Sequence, residues 1–237
     1  MKKIGLSKAI LVGDYCYMLA NELFYQTLHS AKLKPFLIKR TGEIWQKLQE
    51  EVLLGQYQDV SLNFWDFLQK REPKNLPKIE KKVWQIMELK TASYSVIKPL
   101  LMAAALTNQT PKLVKCFSDY GKNLGLAFQI YDDILGMFGS EEIIGKPADS
   151  DLKEGKMTLL LVKLLAKVGT AKLNRQRFKD VIWVRNKLES LGILAECQNI
   201  ANLLIDKAKQ AINHSSLLEK DKIFFNQLAD FVVKRKS

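Results

Sequence analysis

Apolar positions recur at helical spacing along nearly the whole chain, and no alternating, strand-like run survives for more than a few residues. The pattern predicts helices over 5–28, 35–54 and 60–72, the last closed by Pro73. In the first of them Leu11, Tyr15, Met18 and Leu19 lie along one stripe. A longer pattern over 77–106 runs through Trp84, Met87, Tyr94 and Leu101. Pro99 sits inside it and predicts a kink or break, because proline has no N–H to give and its ring crowds the preceding turn. Residues 111–138 follow, opened by Pro111, where proline is tolerated at a helix start. A loop from Gly139 to Gly155 holds three Gly, one Pro and five acidic residues. Beyond it helices are predicted over 157–167, 172–190, 193–213 and 221–235, each beginning near a polar or glycine break. The expected class is all-α, with long helices in an orthogonal or bundle-like array.

The chain has 237 residues, enough for one sizeable core, and its 12 Gly and 6 Pro form no linker-like stretch, so a single domain over 1–237 is expected. The net charge of +12 attracts polyanions, which admits nucleic acid, anionic lipid and phosphorylated small molecules as partners. Lysines that merely solvate helix faces explain the charge equally well. No zinc-finger spacing and no aromatic-basic repeat points to nucleic acid, so none is expected. The basic clusters Lys32 to Arg40 and Lys234 to Lys236 flank helices and read as surface. Cys16, Cys116 and Cys197 are far apart and odd in number, which fits reduced thiols in a cytosolic protein. The basic start and short apolar run at the N-terminus are interrupted by Asp14, unlike a signal peptide, and no apolar run reaches membrane-spanning length. A cytoplasmic protein with no transmembrane segment is the expectation. His29 and His214 are isolated and receive no role.

The most informative stretch is Phe128 to Gly136, with Asp132 and Asp133 adjacent on an otherwise apolar helix. Neighbouring carboxylates repel each other and cost desolvation if buried. A divalent cation would justify them, since hard oxygen ligands hold Mg²⁺ while water and phosphate oxygens complete its octahedron. Gln129 lies one turn before the pair and shares its face. The bland alternative is a solvated acidic pair on a helix surface. Two lysines beyond it, Lys146 and Lys156, each directly follow a glycine. Metal on one side and ammonium groups on the other would together neutralise a diphosphate. Upstream, Lys90 and Thr91 offer a cation and a hydroxyl donor side by side, although such pairs are common on solvated surfaces.

These segments, in this order, resemble the trans-isoprenyl diphosphate synthases, or polyprenyl synthetases, nearly end to end. Ala9 to Tyr15 is similar to the helix opening that follows the family's first aspartate-rich motif, and Gly55-Gln56 with Asp59 to its Gly-Gln…Asp segment. Lys90-Thr91, with Tyr94 and Pro99-Leu100 after it, resembles the Lys-Thr motif. Phe128 to Gly136 resembles the second aspartate-rich motif, Gly145-Lys146 and Gly155 to Thr158 the two lysine motifs, and Leu228 to Arg235 the last helix. The resemblance implies an isoprenoid-synthase-like array of long helices around a central cavity, homodimeric, dependent on Mg²⁺. It implies a prenyltransferase of isoprenoid biosynthesis that ionises an allylic diphosphate and joins it head to tail to isopentenyl diphosphate. By matching position, Asp132 and Asp133 would hold Mg²⁺, and Lys90, Lys146 and Lys156 would contact the diphosphate. Thr91 and Gln129 would line the path of the cation.

Two departures change the expectation. The second motif usually carries a third aspartate where this chain has Gly136; one branch of the family tolerates glycine there, and a weakened metal site is implied. The family's first aspartate-rich motif and its residues for isopentenyl diphosphate precede the segment resembling Ala9 to Tyr15, and no Asp-Asp pair occurs before Asp132. The domain is therefore expected to be N-terminally truncated, as a fragment or split-gene product, and weak or inactive alone. The alternatives are a non-catalytic partner subunit completed by a synthase chain, which would make a heteromer, and a terpene cyclase. The helices so missing should leave apolar surface uncovered.

Overall fold

A computed structural model describes residues 2–70, 75–139, 150–169 and 175–234. The described residues form helices α1 (Lys2–Ser30), α2 (Pro35–Ser61), α3 (Phe64–Lys70) and α4 (Leu76–Met87), then a π-helical stretch (Glu88–Ile97) leading into α5 (Lys98–Leu106). Helices α6 (Pro111–Phe138), α7 (Ser150–Glu154), α8 (Leu159–Val168), α9 (Arg175–Phe178), α10 (Val181–Ser190), α11 (Ile193–Asn213) and α12 (Glu219–Lys234) follow. The extended pairing among them is one isolated antiparallel bridge between Asn63 and Lys156. The class is all-α.

Helix α6 is the axis of the core. Pro111 opens it, and Thr110 caps it by accepting from the Leu113 N–H at 3.3 Å. Its buried residues, among them Phe117, Tyr120, Leu124, Ile130 and Ile134, pack chiefly against the π-helical stretch, α11 and α5. Helix α8 is apolar nearly all round, and Leu159, Leu160, Leu161, Val162, Leu164 and Leu165 are all buried, as expected of a helix with neighbours on every side. Its Lys163 reaches out to Glu80 and Glu196 at 3.7 and 2.6 Å, pinning α4 and α11 over it.

Two boundaries differ from the sequence pattern for identifiable reasons. Helix α2 runs unbroken through Gly55, and the break comes later, at Leu62 and Asn63. There the Asn63 side chain accepts from the Trp65 and Asp66 N–H groups at 2.8 and 3.2 Å, capping α3. The pattern over 172–190 is cut by Asp180, whose carboxylate accepts from the Trp183 N–H at 3.1 Å and starts α10. No gap opens at Pro99: the chain stays helical from Leu76 to Leu106, and the α-winding changes before the proline, not at it. The preceding stretch is wound as a π-helix, with the Lys98 N–H donating to Ser93 five residues back. That wider winding delivers Pro99 to the first turn of α5, where its missing N–H is no loss.

Helix α1 is mostly exposed, and Ile4, Leu6, Ile10, Leu11, Val12 and Met18 stand in solvent along it. No described helix is long and apolar enough to cross a membrane.

Candidate functional site

The π-helical stretch places Lys90 and Thr91 against α2 and α6 at once. Helix α2 comes close because residue 55 is glycine: a Cβ there would stand 2.7 Å from the Lys90 backbone nitrogen. That approach lets the Asp59 carboxylate form an ion pair with the Lys90 ammonium. On the α6 side Thr91, buried, donates its hydroxyl to the side-chain oxygen Oε1 of Gln129. Gln129 passes the contact on, donating from Nε2 to Asp133 Oδ1 at 2.8 Å. The same oxygen accepts from Lys156 Nζ at 2.8 Å, and Lys156 also reaches Asp151 Oδ2 at 3.3 Å. A continuous polar chain, Thr91–Gln129–Asp133–Lys156–Asp151, thus crosses the interior.

Lys156 is set by its loop. Gly155 has φ of +78°, a left-handed conformation that favours glycine, and its carbonyl accepts from the Phe64 N–H at 2.7 Å. Asn63 and Trp65 donate to the carbonyls of Glu154 and Lys153, both at 3.3 Å. The start of α3 therefore straps the lysine loop against α6.

Burial shifts the central groups. Asp133 is only 4% exposed, and desolvation pushes its carboxyl up, against the pull of Lys156 and Gln129. Burial alone would lower Lys156, but the carboxylates of Asp133 and Asp151 outweigh it and hold the ammonium well above the ordinary lysine range. Lys156 is a fixed cation at any working pH.

Of the residues expected from the sequence, Lys90, Thr91, Gln129, Asp133 and Lys156 converge on one small cavity of about 30 Å³, which Asp59 also lines together with Val83, Ile86, Met87 and Met157. Asp132 points elsewhere. It is exposed and borders an open polar hollow of about 450 Å³ together with Gln56, Asp59, Lys90, Asp151 and Lys156. The two share Asp59, Lys90 and Lys156, so the aspartate pair serves adjoining rooms of one site. Lys146 lies outside the described residues. On the far side of Thr91 opens an apolar cavity of about 370 Å³, walled by Val96, Leu100, Leu124, Phe128, Phe225 and Phe231.

Sequence reasoning left Asp59 and Asp151 without a role. The signal for Asp59 was its spacing from Gly55-Gln56, one turn along α2. Asp151 had none beyond being one acid among five in its loop. Glu51 was also missed: it accepts from Lys98 at 3.1 Å and from the Ser93 hydroxyl, bracing the π-helical stretch from behind.

The donor chemistry suits Mg²⁺. Asp132, Asp151 and Asp59 offer hard carboxylate oxygens into the hollow, with neither Cys nor His in its lining. Among the described residues no three His, Cys, Asp or Glu side chains cluster closely enough to hold a metal ion by themselves. A cation here would draw further oxygens from a phosphorylated ligand and water, as Mg²⁺ commonly does.

Comparison with known proteins places these features in context. Residues 1–199 match the family model described as polyprenyl synthetase. The chain is 37% identical over 163 residues to a geranylgeranyl diphosphate synthase of Sulfolobus acidocaldarius, covering 69% of this chain and 46% of that protein. It is 27% identical over 241 residues to a geranylgeranyl diphosphate synthase of Methanosarcina mazei, covering 98% and 68% respectively. The chain thus spans about half to two thirds of the length of these relatives. Among solved structures, it superposes with a TM-score of 0.80 and 25% identity on geranylgeranyl pyrophosphate synthase from Corynebacterium glutamicum, complexed with isoprenyl diphosphate and magnesium. That match covers 98% of this chain and 64% of that one. A polyprenyl synthase from Caulobacter crescentus, complexed with calcium and isoprenyl diphosphate, superposes with a TM-score of 0.76 and 25% identity.

Proposed function

Because the chain belongs to the polyprenyl synthetase family, we propose that its polar hollow binds the diphosphate of an allylic isoprenoid and its apolar cavity the hydrocarbon tail. The activity served is head-to-tail condensation with isopentenyl diphosphate. The observation that carries this reading is the position of Thr91, which lines both the apolar cavity and the polar room containing Lys90, Asp133 and Lys156. An amphiphile with an anionic head and a prenyl tail meets complementary walls on both sides of that residue.

In this reading Lys90 and Lys156 neutralise the diphosphate oxygens, with Lys146 as a third cation; Asp132, which borders the hollow, would face Mg²⁺, and Asp133, in the inner cavity, holds Lys156 in place. Bound Mg²⁺ supplies Lewis-acid stabilisation of the charge on the departing diphosphate. The allylic C–O bond breaks, its electron pair leaves with the diphosphate, and the double bond of isopentenyl diphosphate attacks the carbon so exposed. Loss of a proton restores a double bond one five-carbon unit further on. Lys156 serves best in the transition state, because negative charge grows on the leaving group while its own charge is fixed beforehand. Thr91 and Gln129 line the path of the cation, and the apolar wall excludes water that would otherwise capture it.

The expected setting is the cytoplasm, and the expected assembly a homodimer, or a heteromer with another synthase subunit. The exposed apolar residues of α1 favour association. In the heteromeric reading this chain modulates its partner without turning over substrate itself.

The test has two arms. A non-ionisable allylic thiolodiphosphate should raise the melting temperature only when Mg²⁺ is present, by about 2.7 kcal/mol of stabilisation at a hundredfold excess over Kd. Isopentenyl diphosphate should then be consumed only alongside an allylic diphosphate. Consumption of the allylic diphosphate alone would indicate a cyclase, and absence of Mg²⁺-dependent protection would overturn the diphosphate site. Mixing with a complete synthase, and finding its product length changed, would favour the subunit reading.

A further inference from the structure

The stretch Glu88–Ile97 is wound as a π-helix, with the Lys98 N–H donating to the Ser93 carbonyl. Such winding is uncommon, so neighbours must favour it over the α-form. Two helices do so, and each grips residues five apart. On the α6 side, Ala92 and Ile97 pack onto Gly125 and Gly121 so closely that a Cβ on either glycine would come within 3.0 Å of their backbone. The two glycines stand one helical turn apart, about 6 Å. Under α-winding Ala92 and Ile97 would be about 7.5 Å apart along the axis and turned about 140° from each other. They meet both glycines because the winding is wider.

On the α2 side the grip is a single carboxylate. Glu51 Oε2 accepts from the Ser93 hydroxyl, and Glu51 Oε1 accepts from Lys98 Nζ at 3.1 Å. Ser93 and Lys98 are the same two residues that the backbone π-turn joins. Ser93 is buried, and the side chains of Glu51 and Lys98 are only 18% and 14% exposed, so water and salt screen the pairing little. Under α-winding the two side chains would point about 140° apart, too far round the helix for one carboxylate to bridge.

We propose that Glu51 is a positioning residue, which holds the stretch in the π register that sets Lys90 beside Asp59 and Thr91 beside Gln129. The inference rests on the diphosphate reading above and deepens it. Glu51 lines neither the polar rooms nor the apolar cavity, so it acts through residues that do. The glycine face of α6 is apolar and favours close approach without fixing a direction. The charged clamp from α2 supplies the direction, because its two hydrogen bonds are satisfied together in one winding only. Relaxation of the turn between Ser93 and Lys98 would swing Lys90 and Thr91 off their partners on α2 and α6.

The full chain and its Glu51→Ala variant are compared by nuclear Overhauser contacts and by calorimetry with inorganic pyrophosphate and Mg²⁺. The wild type should show contacts between Ser93 and Lys98, five apart. In Glu51→Ala these should give way to the α-type contact between Tyr94 and Lys98, and pyrophosphate affinity should fall about tenfold, the loss of one charge-assisted contact. Glu51→Gln can still bridge, accepting from Lys98 and donating to Ser93 Oγ, and should restore both. In a Lys90→Met/Thr91→Val background Glu51→Ala should weaken binding no further, because the contacts it positions are already gone. An additive loss there would mean general damage to the fold and overturn the proposal, as would five-apart contacts that survive in Glu51→Ala. Should Glu51→Ala lose its cooperative melting transition, Ser93→Ala, which removes one arm of the clamp and no charge, is read in the same way. If the wild-type chain binds no pyrophosphate, the diphosphate reading fails, and the Overhauser contacts alone decide whether Glu51 holds the register.

Discussion

Gly125 on α6 and Ala92 on the π-helical stretch meet backbone to backbone: a Cβ on Gly125 would stand 2.4 Å from the Ala92 Cα and 2.5 Å from its Cβ. No flexible side chain lies at this contact to give way. Gly125→Ala should therefore push the two elements apart at a cost of about 2–3 kcal/mol, at the upper end of ordinary overpacking. Because Thr91 and Gln129 flank the same contact, the displacement should also part their hydrogen bond. Chemical denaturation measures the first effect, and loss of thiolodiphosphate binding in protein that remains folded measures the second.

Replacing Lys156 by methionine leaves Asp133 buried without its cation, a loss of about 3 kcal/mol at neutral pH. The sign with pH follows from Asp133. Burial raises its folded carboxyl above the unfolded value of ~3.9, and removing Lys156 takes away the main opposing pull. A carboxyl raised on folding loses stability as pH climbs from the unfolded toward the folded value. Lys156→Met should thus melt at a higher temperature at about pH 5 than at about pH 8, and adding Asp133→Asn should abolish that difference. Melts of the two variants at both pH values check this; a Lys156→Met midpoint independent of pH would show that Asp133 is not the responsible group.

Gly155 takes a left-handed φ that costs an alanine about 1–2 kcal/mol, and an added Cβ would also meet Trp65 Cδ1 at 2.5 Å. Gly155→Ala should loosen the strap from Asn63 and Trp65, leaving the core intact. The expected result is a modest drop in melting temperature with a larger loss of pyrophosphate affinity, because Lys156 is no longer held. Tryptophan fluorescence of the Trp65 environment and calorimetry would read the two effects separately.

The cysteines provide a test of burial over the whole chain. Cys16 is exposed on α1, Cys116 is partly covered and donates to the Ala211 carbonyl at 3.2 Å, and Cys197 is fully buried in the core. Burial pushes the Cys197 thiol up to about 12, so almost none of it is the reactive thiolate near neutrality. A thiol reagent should label Cys16 at once, Cys116 more slowly and Cys197 only on unfolding. Slower labelling of Cys16 as protein concentration rises would identify α1 as an association face.

The helical array was legible from periodicity, since long amphipathic segments such as α6 carry their own start signal in Thr110 and Pro111 and their own stripe. Part of the polar chain was legible too: Asp133 could be picked out because adjacent acids on an apolar helix need a reason, whereas Lys90, Thr91, Gln129 and Lys156 were tied to it through the order of motifs that the family resemblance supplies. What could not be read is what depends on a partner from far along the chain. Gly55 looked like a helix end and is instead a contact with Lys90, 35 positions away. Asp151 looked like one more loop acid because nothing local shows that it faces Gly136. The separation of Asp132 from Asp133, one into each room, follows from the rotation of α6 against its neighbours, which spacing on a single helix does not fix.

The π-helical winding between Glu88 and Ile97 has a genetic consequence. Each residue of an ordinary helix turns the chain by about 100°. Deleting one residue within this stretch would let it rewind in the tighter form, turning Lys90 and Thr91 away from Asp59 and Gln129. The reading frame would be kept and the hydrophobic pattern nearly so, yet the anion would lose two of its contacts in one step. In-frame losses of a single codon should therefore be tolerated in the surface turns and selected against between codons 88 and 97.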